Sequence, residues 1–247
     1  ILNKGASQSV DKNVLIASLL AMGTNHGLAD MAARSDLSYN SLKRVSQNFL
    51  RPETLQQANQ IIVDATAQLP MFTHYNIKSD TLHSSSDGQK FTTRFDTVNA
   101  RHSNKYFGLE KGISNLTMAL NHVPVNTKTI GSNEYEGHYV LDILDSNKTS
   151  IQPTIHSTDS HGTNKVNFAL LDFFGYQFAP RYKQFPKETT NLVGFKSPDA
   201  YPEKYIIKPQ RQINKQRFID QWDTCQRTIA SLATKTTSQK NIVKKLS

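Results

Sequence analysis

The chain has 247 residues, a formal net charge of +9 and 37% hydrophobic residues, which leaves room for one large domain or two small ones with a modest core. Its single cysteine, Cys225, excludes an internal disulfide and a paired-cysteine zinc site, and fits a reducing cytoplasm. The longest apolar run near the start, Val14 to Met22, is too short to span a bilayer and is interrupted by Ser18. No secretory leader is evident, and a chain that begins at Ile1 is expected to be a fragment of a longer protein.

Residues 1–77 read as helical. Asp11 is placed to cap a helix through Met22, with Gly23 and Gly27 as punctuation and Leu28, Met31 and Ala32 continuing an apolar face. Pro52 opens another helix, with Leu55, Ala58, Ile61, Ile62 and Ala65 as its buried stripe and Pro70 as its end. From about residue 78 the pattern turns to strands, at 80–86, 91–98 and 113–120, the last alternating Leu116, Met118 and Leu120 with small or polar residues.

A helix capped by Ser132 follows, with Glu134 and Glu136 in its positive first turn. Next come a strand over 153–158 ending at Asp159, a helix over about 162–174 capped by Ser160 and stopped at Gly175, and a strand over 176–180. The order β-β-β-α-β-α-β predicts a mixed sheet with helices packed on it, in which the first and fourth strands can lie side by side. A loop-rich stretch over 183–210 leads to a final helix, about 212–234, striped with Phe218, Trp222, Cys225, Ile229 and Leu232.

Charge is unevenly spread. Residues 204–247 carry a balance of +8, and the rest only +1. A basic tail on a near-neutral body fits a polyanion partner, DNA or RNA first, or simply a solvated helix.

Asp87 and Asp159 are the residues with chemistry to offer. Asp87-Gly88 between two β-rich runs is first a hairpin signal, because glycine accepts positive φ without strain. It can equally be a carboxylate at a strand end. Asp159 stands at a second strand end, and if the first and fourth strands are neighbours the two acids meet at one edge. Hard divalent cations prefer carboxylate oxygens, and such sites support phosphoryl transfer.

Several stretches, kept in order over most of the chain, resemble the catalytic region of the Tn-three family of replicative transposases. They are Leu19 to Asn25, Ser86-Asp87-Gly88-Gln89-Lys90-Phe91, Ala100 to Gly108, His138 to Asp142, Thr158-Asp159-Ser160-His161-Gly162 and Phe174 to Arg181. The resemblance implies an RNase H-like α/β fold, a mixed sheet flanked by helices, over 78–247 and preceded by a helical segment over 1–77. It implies that Asp87 and Asp159 are the first two members of an Asp-Asp-Glu triad that binds Mg²⁺ or Mn²⁺. It implies DNA partners, namely terminal inverted repeats and target DNA, with a possible homodimer on paired ends and no membrane. The reaction expected of the intact enzyme is cleavage at the transposon ends, followed by transfer of the 3′-OH into target DNA.

The third acid departs from the family pattern. In the family it lies on a helix well downstream of the second Asp. Here the last glutamate is Glu203, and Glu188 and Glu203 both fall in the loop-rich stretch. The chain is therefore expected to end before the third carboxylate, and to be inactive alone.

Further candidates are basic. His161 is read as orienting water or phosphate, or as a helix-cap histidine. Arg101 and Lys105 are read as DNA contacts or as hairpin surface charge, and Arg181 and Lys183 as phosphate contacts, which position DNA without reading its sequence. Two other readings stay open: a metal nuclease on the same fold without strand transfer, and a non-catalytic DNA-binding scaffold.

Overall fold

A computed structural model describes residues 9–78 and 81–246. The chain forms two compact units, the first running to Thr66 and the second from Ala67.

The first unit is helical: α1 (Lys12–Gly23), α2 (Gly27–Arg34), α3 (Tyr39–Phe49) and α4 (Pro52–Ala67), which runs to its boundary. The Asp11 side chain accepts from Asn13 N and caps α1 as expected. Val14 of α1 and Leu42 and Val45 of α3 form the core, with Leu28 and Met31 of α2 packed against it. The stripe expected to be buried on α4 is open: Leu55, Ile61 and Ile62 are exposed and only Val63 is buried, so the helix offers its apolar side to solvent in this chain. Pro70 does not merely end that helix. It begins another, α5 (Pro70–His74), as a residue without an N–H is suited to do.

The rest of the second unit is α/β. In chain order it contains β1 (His83–Thr92), β2 (Arg101–His102), α6 (Asn104–Phe107), β3 (Lys111–Leu120) and β4 (Val123–Gly131). A 3₁₀ turn over Glu136–Tyr139 leads into α7 (Val140–Asp145), β5 (Ile155–Thr158), α8 (Lys165–Phe173) and β6 (Gln177–Phe178). The loop-rich stretch holds α9 (Phe185–Thr189) and a small parallel ribbon of β7 (Val193–Gly194) with β8 (Arg211–Gln212). It closes with α10 (Lys215–Asp220), α11 (Trp222–Ala233) and α12 (Gln239–Leu246).

β3 pairs antiparallel with β1 along one edge, and with β4 and the short β2 along the other. β1 pairs parallel with β5, and β5 parallel with β6. The sheet is therefore mixed, and the first and fourth expected strands are neighbours. The structure departs from expectation at Asp87-Gly88, which is no turn. The strands expected at 80–86 and 91–98 merge into β1, which runs through both residues and pairs with β3 from Ser84 to Thr92 (residue 80 lies outside the described residues). Strand β4 was not anticipated.

Leu116, Met118 and Leu120 of β3 are essentially fully buried, each contributing about 1.5–3 kcal/mol. Ile143 and Leu144 of α7 and Leu171 of α8 complete the core. The helix expected from Ser132 starts later, because the Ser132 hydroxyl donates to Arg101 O and holds β2 instead of capping. Helix α8 is capped by Asn164, not Ser160, and Gly175 ends it with φ +80°. The long final helix breaks at Gln221 into α10 and α11, and of its expected stripe only Leu232 is buried. No helix among the described residues is long and apolar enough to cross a membrane.

Candidate metal and DNA site

A buried histidine sets the geometry of the two acids. His156 of β5 is fully buried between two serines of β1, with Ser84 Oγ 2.8 Å from Nδ1 and Ser86 Oγ 3.0 Å from Nε2. Burial, helped by the charge of His83, pushes its pKa down to about 3. The neutral ring thus bolts β1 to β5 in the register Ser84↔His156, Ser86↔Thr158. One residue further along each chain come Asp87, within β1, and Asp159, just past the end of β5. Both line one cleft of about 390 Å³, together with Glu136, Lys90, Tyr106 and His161.

The two carboxylates are held differently. Asp87 is exposed and, among the described residues, accepts from the N–H of its neighbour Gly88, at 2.8 Å. Asp159 Oδ1 accepts from His161 N (2.8 Å) and Gly162 N (3.2 Å), while Oδ2 meets His161 Nδ1 at 2.9 Å. Burial alone would raise the Asp159 carboxyl, but these hydrogen bonds outweigh it and hold it below the usual range.

Glu136 is the residue that sequence reasoning missed. It sits on the 3₁₀ turn before α7, and its carboxylate rests on Gly88, where any Cβ would overlap it. Ser114 Oγ donates to Glu136 Oε1 at 3.3 Å. Burial first, then the charges of Asp87 and Asp159, raise its pKa, partly offset by Lys90. The only sequence signal was the glycine after Asp87, which a hairpin explained equally well.

Of the basic candidates, His161 lies in the cleft and Lys105 reaches its wall, with Nζ 4.9 Å from the Tyr106 ring centroid. Arg101 is not brought there. Its guanidinium folds back onto Val98 O and Ala100 O and faces a different cavity, beside Lys128 and Glu134. Arg181 and Lys183 follow β6, tied by their backbone to Thr158 O and Ser160 Oγ, and Lys183 lines a separate cavity of about 540 Å³.

The cleft offers oxygen donors of the kind a divalent cation prefers. Three hard oxygen donors, Asp87, Asp159 and Glu136, face one cleft, and Asp87 has coordination capacity to spare. They are not drawn tightly together: among the described residues no group of three or more His, Cys, Asp or Glu side chains is arranged to hold a metal.

The family model described as "Tn3 transposase DDE domain" matches residues 1–247. The chain is 30% identical over 187 residues to the transposase for transposon Tn4556 of Streptomyces fradiae, covering 74% of this chain and 21% of that protein. It is 28% identical to the transposase for transposon Tn21 of Escherichia coli and 27% to that for transposon Tn501 of Pseudomonas aeruginosa, each over 98% of this chain and 24% of the relative. The chain thus spans less than a quarter of the length of these curated relatives. Among solved structures, a piggyBac transposase synaptic complex with hairpin DNA matches at TM-score 0.38 and 12% identity, covering 76% of this chain and 47% of that one. A Mos1 transposase paired-end complex with the left transposon end matches at TM-score 0.29 and 9% identity, covering 75% and 63%. On the match of the family model to its whole length, the chain belongs to the Tn3 transposase DDE domain family.

Proposed function

We propose that this chain is the catalytic region of a DNA transposase, in which a helical segment over 1–77 leads into an RNase H-like domain over 78–247. The intact protein cuts DNA at transposon ends and transfers the 3′-OH to target DNA. The observation that carries the reading is the β1–β5 register, which brings Asp87 and Asp159 to one cleft in a chain of this family.

Asp87 and Asp159 would hold Mg²⁺ or Mn²⁺, with Glu136 beside them. When bound, such an ion polarises the scissile phosphate and makes water or a 3′-OH a better nucleophile. The chain's own part is positioning. The Ser84–His156–Ser86 bridge fixes the middle of β1 against the end of β5, and the Asp159–His161 contact fixes the imidazole at the cleft. Glu136 precedes Asp159 in the chain, so it does not take the place of the triad glutamate, which follows the second Asp.

The test uses the intact protein and labelled transposon-end DNA in Mg²⁺. Wild type yields nicked and joined products, and Asp87→Asn and Asp159→Asn lose both by at least about a thousandfold, as for groups that act only in the transition state. Hydrolysis without joining by wild type assigns a nuclease instead. Binding without any product by wild type leaves a DNA-binding scaffold, and full activity of Asp87→Asn overturns the assignment of Asp87.

A further inference from the structure

The wall of the cleft carries two ammonium groups on one aromatic ring. Lys90 Nζ lies 4.8 Å and Lys105 Nζ 4.9 Å from the centroid of Tyr106. The ring is 49% exposed and lines the cleft that holds Asp87 and Asp159. Its placement follows from its neighbour. Phe107 packs on Gly112 of β3, where a Cβ would overlap the ring, and this anchors the single turn of α6 and leaves Tyr106 outward. Lys90 comes from β1, two residues past the glycine that receives Glu136, and it donates at 2.9 Å to Ser132 O, a neutral carbonyl. Neither lysine has a described carboxylate within 4.0 Å.

Two like charges on one ring, neither in a salt bridge and Lys90 acting on Glu136 only at longer range, are an arrangement that wants an anion. A ring quadrupole holds an ammonium without neutralising it, so both charges stay available. The anion must fit beside carboxylates that repel it, which favours a polyanion held at several points over a free acid. A DNA strand meets that requirement, since its phosphates repeat along the backbone.

We propose that Lys90 and Lys105, positioned by the Tyr106 ring, clamp phosphates of the DNA strand that enters the Asp87–Asp159 cleft. This rests on the DNA reading above and adds Lys90 as a direct contact and Tyr106 as a positioning residue. The contact is to backbone, so it strengthens binding to every sequence alike.

The test is fluorescence anisotropy of the intact protein with a labelled duplex of arbitrary sequence, across a salt series. Lys90→Gln and Lys105→Gln are each expected to reduce the slope of log K against log salt by about 0.9. Tyr106→Leu is expected to weaken binding about threefold at fixed salt, while Tyr106→Phe, which retains the ring, restores it. Thermal melting of the Lys105 and Tyr106 variants should match wild type, since both side chains are exposed, and that of Lys90→Gln, at a half-buried position, should fall only slightly. A steep wild-type slope that neither lysine variant changes overturns the clamp and leaves the DNA reading standing. A wild-type protein whose binding is insensitive to salt overturns both.

Discussion

The carboxylate of Glu136 lies on Gly88, in space that a single methyl group at that position would fill. Gly88 is therefore needed for close approach across β1, not for a turn. Gly88→Ala would push Glu136 out of the cleft at little cost to the fold, because the displaced atoms are the free end of a flexible side chain and alanine suits a strand better than glycine. The intact protein should lose ten- to a hundredfold in DNA cleavage, with melting unchanged or slightly raised. Glu136→Ala should lose a similar amount, and the double variant no more than either single one. Full activity of Gly88→Ala would show that the Glu136 position is not used.

His156 should make stability depend on pH. Its folded pKa, about 3, lies below the unfolded value of about 6.5, so only the unfolded chain gains a proton between them. The stabilisation is complete above about pH 6.5. It falls as pH drops toward 3, by up to about 1.4 kcal/mol per unit. Burial also lowers His83, which adds to the loss in the same direction. Urea midpoints from pH 7 to 4 should decline more steeply for wild type than for His156→Gln, and parallel declines would contradict this.

Gln239, fully buried at the start of α12, should be a large single contributor to the second unit. Its amide donates to Gly137 O (3.0 Å) and Asn167 Oδ1 (2.5 Å), and its oxygen accepts from Leu141 N (2.7 Å). Asn167 Nδ2 in turn donates to Gly137 O and Gly162 O, both at 2.9 Å. The pair ties α12 to the turn bearing Glu136 and to the loop after Asp159. Gln239→Ala strands several buried groups and should cost about 2–4 kcal/mol. Adding Asn167→Ala should cost less than the sum of the singles, as measured by denaturant titration.

Much of this fold was legible where one residue decides a local question. Asp11 capped α1, and alternation of Leu116, Met118 and Leu120 marked β3. What failed had causes distant in sequence. Asp87-Gly88 suits a hairpin by its neighbours alone, and only Glu136, 48 positions on, explains the glycine within a strand. Glu136 itself suits the first turn of a helix, yet the helix waits until Val140 because Ser132 serves β2. Strand β4, with Pro124 and Asn126 in it, lacks clean alternation, and its Asn126 amide bonds to Ile143 O across the core. The stripe on α4 had the right period and no partner here, since periodicity shows that a face is apolar and not what covers it. Asp87 and Asp159 stood out from sequence as candidates and line one cleft, whereas Lys90, Tyr106 and Glu136 became candidates only through the shape of that cleft.

The central claim is that Asp87 and Asp159 hold the catalytic metal, and a metal-specificity switch tests it most directly. A thiolate is a poor ligand for Mg²⁺ and a better one for Mn²⁺. Cleavage of labelled transposon-end DNA by the intact protein should be measured for Asp87→Cys and Asp159→Cys in each ion. The account predicts almost no product in Mg²⁺ and at least about tenfold recovery in Mn²⁺, beyond any gain that Mn²⁺ gives wild type. Wild-type rates for both variants in Mg²⁺ would contradict it, because neither carboxylate would then be a ligand that the reaction needs.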